Sequence, residues 1–93
     1  MRRKYNTWYD VNYSGCFGQY RYNTAQHKWA KSEDTDDGVM YAEFKTFKKA
    51  IQNAKELQKI IDPSCDVIIT RFFIKKGRRR CIDFIMKKRD KQM

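Results

Sequence analysis

Only one stretch of this chain is written in helical period, and it is apolar on a single side. Phe47, Ala50, Ile51, Ala54, Leu57 and Ile61 gather on one side of the wheel, with Lys45, Lys48, Lys49, Gln52, Lys55 and Lys59 opposite. The spacing predicts an amphipathic helix over 45–61. Thr46 is its expected N-cap, and Asp62-Pro63 its stop, because proline disfavours helical geometry in the residue before it. A lone helix with one apolar stripe cannot build a core, so the rest of the chain must supply a flat surface for it.

The remaining apolar residues do alternate with period two. Tyr5, Thr7, Tyr9, Val11 and Tyr13 share one face of a strand, with Asn6, Trp8, Asp10 and Asn12 on the other. Ser14-Gly15 is a turn signal, and the alternation resumes over residues 16–23, so a hairpin with Tyr9 facing Tyr20 is expected. Lys28 to Lys31 extends that sheet, and residues 39–44 read as a third strand. Residues 67–74 and 80–86 form a second hairpin turned at Lys76-Gly77. One of its faces carries Val67, Ile69, Arg71, Phe73, Ile82, Phe84 and Met86; the other carries Ile68, Thr70, Phe72, Ile74, Cys81, Asp83 and Ile85. The expected fold is one α+β domain over 1–93, a small antiparallel sheet with one amphipathic helix in the order β-β-(β)-α-β-β, with residues 1–4 and 88–93 frayed. One helix covers one face of a sheet. The second apolar face of the C-terminal hairpin is therefore expected to meet a protein, either a second copy of this chain in a homodimer or a target.

Charge points to the partner. Lys and Arg number 21 against 11 Asp and Glu, a net charge of +10 on 93 residues, while 41% hydrophobic and 15% aromatic content is too much for a disordered tail. Residues 75–93 alone hold nine Lys and Arg against two Asp. The hairpin tip Lys75, Lys76, Arg78, Arg79 and Arg80, beside helix lysines Lys48, Lys49, Lys55 and Lys59, has the composition of a phosphate-tracking surface. Arg21 with Tyr20 and Tyr22 adds aromatic rings among cations, the pattern that stacks unpaired bases; Trp8 and Trp29 belong to the same set. The expected partner is nucleic acid or a nucleoprotein complex, or else an acidic protein surface. No stretch approaches the roughly 20 apolar residues of a membrane span, so no membrane partner is expected.

Cys16, Cys65 and Cys81 are an odd set at wide spacing, which suits neither a disulfide framework nor zinc knuckles. They are expected to be small buried or half-buried side chains in a reducing cytoplasm, since the N-terminus shows no secretory apolar region.

No complete catalytic, cofactor or metal motif is present. Glu33 to Gly38 is acidic, but an EF-hand counted from Glu33 would place Phe44 at the twelfth position, where an oxygen ligand is required. His27, the single histidine, has no Cys at ligand spacing and no Ser or Asp partner identifiable in the sequence. Glu43-Phe44-Lys45 before the helix, with Asp10 and Asp36-Asp37 upstream and Gln52 in the helix, resembles the E-x-K element of the PD-(D/E)XK nucleases. That resemblance implies Asp10 and Glu43 as Mg²⁺ ligands and Lys45 beside the attacking water. A Pro-Asp pair and an N-terminal helix are missing from it. In size and charge the chain also resembles small phage or mobile-element accessory proteins, including anti-CRISPR inhibitors, which implies a non-enzymatic inhibitor of a nucleoprotein effector.

Overall fold

The computed structural model describes residues 6–86, so the expected fraying of 1–4 and 88–93 lies outside the described residues. The fold is α+β. Strand β1 (Thr7–Ser14) is followed by β2 (Tyr20–Asn23), β3 (Lys28–Lys31), a 3-10 turn (Ser32–Asp34), β4 (Ala42–Phe44), helix α1 (Phe47–Ile60), β5 (Asp66–Lys75) and β6 (Arg78–Met86). The main sheet is antiparallel with order β4-β1-β5-β6, and β2 and β3 form a separate two-stranded sheet.

α1 forms for the local reasons its sequence supplies. Thr46 is extended and its Oγ1 accepts from Lys49 N at 3.2 Å, while Ile61 is already extended ahead of Pro63. Ala50, Ala54, Leu57 and Ile61 are buried against β1, β5 and β4. Asn53 joins them, an unexpected polar residue in the core, where its Oδ1 accepts from Trp29 Nε1 at 2.7 Å.

The C-terminal hairpin has the register that its turn residues dictate. Lys76 (φ 52°) and Gly77 (φ 75°) both take positive φ, as a type I′ turn requires, and Lys75 pairs with Arg78.

The N-terminal hairpin does not form. β1 pairs with β5 (Tyr9 with Arg71, Val11 with Ile69) and with β4 (Tyr9 with Phe44), and β2 pairs with β3 instead. Tyr9 therefore does not face Tyr20. In its place the Tyr13 hydroxyl donates to Tyr20 O at 2.7 Å and accepts from Tyr20 N at 3.1 Å, and the β2–β3 ribbon folds over to close the core. Tyr22 and Val39 exchange backbone hydrogen bonds of 2.7 and 2.9 Å, which ties that ribbon to the approach to β4. Gly38 makes the approach feasible: a Cβ there would sit 2.7 Å from Tyr22 O.

Cys16 and Cys65 form a disulfide with Cα atoms 6.0 Å apart. This corrects the expectation of three free thiols in a reducing cytoplasm. The end of β1 and the start of β5 are neighbours only after folding, so a separation of 49 residues concealed the pair, and the bond points to an oxidising environment. Cys81 is free and exposed, not buried. Among the described residues no helix is long and apolar enough to cross a membrane.

Candidate nucleic-acid interface

β1 accompanies β5 only as far as Phe73, which pairs with Thr7; Ile74 N still reaches Asn6 O at 3.1 Å. Among the described residues no strand accompanies the β5–β6 ribbon beyond that point, and its tip holds Lys75, Lys76, Arg78, Arg79 and Arg80, all exposed. No acidic residue interrupts the run from Lys75 to Arg80. The tip can therefore meet phosphates on both its faces.

Each face of the ribbon base also holds an aromatic ring. On the helix side Phe73 pairs with Arg80, and Arg71 lies over the Phe73 ring at 5.5 Å. Phe73, Lys75, Lys76 and Arg80 line a shallow open groove of about 380 Å³. On the other side Trp8 stacks on Phe72, with centroids 5.4 Å apart and planes at 13°, and Arg79 covers Phe72 at 5.6 Å. Cation–π contact of this kind holds arginine side chains extended along the ribbon and restricts their rotamers before any ligand arrives.

The other expected contact residues do not join this tip. Phe47 at the start of α1 packs on Tyr9 and Phe84, and Phe84 lies six residues from Arg78, about 20 Å along the strand. From there α1 runs towards the disulfide, so Lys55 and Lys59 recede from the tip. Lys48, Lys49, Lys55 and Lys59 are exposed, but Lys49 borders a different groove of about 600 Å³ with Tyr22, His27, Tyr41 and Glu43. Arg21 lies on the β2–β3 ribbon, where its Nη1 donates to Gly38 O at 3.4 Å.

Tyr20 and Tyr22 are not a base platform. They are 4% and 5% exposed, and Tyr20 Oη accepts from Asp62 N at 2.9 Å. Tyr22 packs on Trp29 at 5.3 Å, and its burial, with Glu56 nearby, raises its pKa above the usual tyrosine value. Trp29 is buried as well, so the aromatic interleaving of this segment is core packing. Nearer the tip, Arg71, Phe72 and Phe73 are half-buried on the ribbon. Their signal in the sequence was the I′ turn, which dates every residue on the ribbon by its distance from Lys76.

The E-x-K fragment is partly assembled. Asp10 and Glu43 are direct partners across β1 and β4, and so share the face away from α1 with Thr70 and Asp83, which lie in the same row. Thr70 Oγ1 donates to Asp83 Oδ1 at 2.7 Å. Among the described residues no three His, Cys, Asp or Glu are close enough to hold a metal ion. No family model, curated protein or solved structure matches the chain.

Proposed function

We propose that this chain is a non-enzymatic nucleic-acid-binding protein whose β5–β6 ribbon tracks phosphates with Lys75, Lys76, Arg78, Arg79 and Arg80. What carries the reading is that, among the described residues, five cations project past the pairing with β1 on a two-stranded ribbon, with no carboxylate among them. Its guanidinium groups can take phosphates in bidentate fashion. Each phosphate neutralised releases condensed counterions, so affinity falls with salt in proportion to the contacts made. Free nucleic acid is favoured over an acidic protein surface because the cations lie on both faces and at the turn rather than on one plane.

The test is the salt dependence of binding to a short duplex and to a single strand. Replacing Arg78, Arg79 and Arg80 together by Ala should lower the slope of log K against log salt by about two to three units, while Lys55→Ala with Lys59→Ala changes it little. Affinity that is flat in salt, or equal losses from both sets, overturns the proposal.

The pairing of Asp10 with Glu43 favours a second reading, a Mg²⁺-dependent nuclease of E-x-K type. Against it, Asp83, in the same row, already accepts from Thr70, and the ribbon cations follow β6, on the opposite side of the sheet from Glu43. Incubation of nucleic acid with Mg²⁺ or Mn²⁺ should leave it intact. Cleavage abolished by Glu43→Ala would replace the binding function with the enzyme.

A further inference from the structure

Among the described residues β6 is an outer strand of the sheet, and its hydrogen-bonding phase is set by the turn. Lys75 and Arg78 flank a two-residue I′ turn and exchange both backbone bonds, so Arg80, Ile82, Phe84 and Met86 also direct N–H and C=O at β5. The bond from Ile74 N to Asn6 O, on the opposite side of β5, has the same phase. Arg79, Cys81, Asp83 and Ile85 consequently point their amides and carbonyls out of the sheet. The pairing with β5 runs without a bulge from Arg78 to Met86 and the strand contains no proline, so among these residues the edge is guarded only by its charges, Arg78, Arg79, Arg80 and Asp83. Ile82, Phe84 and Ile85 are exposed along it.

We propose that β6 is a self-association edge, along which two copies of this chain pair antiparallel about a two-fold axis at Cys81 and merge their sheets into one of eight strands. Charge selects the occupant and the register. With the axis at Cys81, Arg79 faces the partner subunit's Asp83, and the symmetry repeats the pair. Arg80 faces the partner subunit's Ile82 and Arg78 the partner subunit's Phe84, so no like charges oppose one another. An axis at Asp83 sets that carboxylate against its own copy, an axis at Arg79 or Arg80 does the same to an arginine, and an axis at Ile82 leaves Arg79 and Asp83 facing uncharged residues. Arg79 and Asp83 already share the face away from α1, where Asp83 Oδ1 accepts from Thr70 and Arg79 extends over Phe72. About six backbone hydrogen bonds close the contact. The edge is also a better contact than the broad face expected from alternation, because that face is crossed at mid-sheet by the polar row Glu43, Asp10, Thr70 and Asp83. The association does not depend on nucleic acid.

The experiment is sedimentation of the protein without nucleic acid, together with cross-linking by a short bis-maleimide through Cys81, the one cysteine outside the disulfide. The wild type should sediment at twice 11.3 kDa and cross-link to a dimer. Arg79→Asp or Asp83→Arg alone replaces two attractive pairs by two repulsive ones and should weaken the dimer by about tenfold or more; the two together should restore it. Cys81→Pro removes only an outward N–H, so β5–β6 stays paired while the protein becomes monomeric, which circular dichroism and sedimentation report together. A wild type that stays monomeric up to its solubility limit overturns the proposal. So does a dimer indifferent to both charge reversals and to Cys81→Pro, and so does a double variant that remains as weak as the singles.

Discussion

Strands β5 and β6 are built from the same kind of alternation, yet Val67 and Ile69 of β5 are each 1% exposed whereas Ile82, Phe84 and Ile85 of β6 are 45%, 40% and 55% exposed. Composition does not separate them. β5 has a strand on either side and α1 above it, while β6 lies at the margin of the described sheet, where α1 reaches it through the contact of Phe47 with Phe84. The difference teaches that an apolar residue in a strand becomes core only when both a neighbouring strand and a covering layer reach it. It also divides the molecule into a closed end, where α1, β2–β3 and the disulfide converge, and an open ribbon that keeps its cations and its edge available.

Breaking the closed end should show the largest effect. Cys16→Ser removes a cross-link spanning 49 residues and should lower stability by about 4 kcal/mol through the freed unfolded chain, read from urea unfolding with and without reductant. A wild type whose midpoint ignores reductant would mean that the disulfide does not hold this end together.

Core truncation sharpens the contrast between the two strands. Leu57→Ala, at a residue with no exposed surface, should cost about 3 kcal/mol, and Ile85→Ala less than about 1 kcal/mol measured per folded monomer in Cys81→Pro. Equal losses would show that β6 is covered in solution in the monomer itself.

The smallest effect is alkaline. Burial raises the Tyr22 pKa, so the neutral phenol is the form the fold holds; the associated stability is complete below the unfolded pKa of about 10 and disappears as pH rises through the higher folded value. Tyr22→Phe should lose less stability than the wild type between neutral pH and pH values above about 10. The same pH slope in both proteins would remove Tyr22 from the account.

Local signals in the sequence determined α1 and the β5–β6 hairpin: the Thr46 cap, the three- and four-residue steps and the Pro63 stop act within one turn, and Lys76-Gly77 sets the register of everything on either side. The basic tip was legible for the same reason, since a turn exposes whatever flanks it. Which strand β1 would pair with was not legible, because β2, β4 and β5 all offer compatible alternation and a period-two pattern does not name its partner. Tertiary packing made that choice, since β5 and β4 lie under α1 and bury the odd-numbered face of β1, whereas a β1–β2 hairpin would leave Trp29 and Tyr20 without the Asn53 and Asp62 partners that satisfy them. The Cys16–Cys65 bond follows from that choice: only the β1–β5 pairing brings the two thiols within reach, and free energy gathered over the whole core, not any local spacing, holds them there.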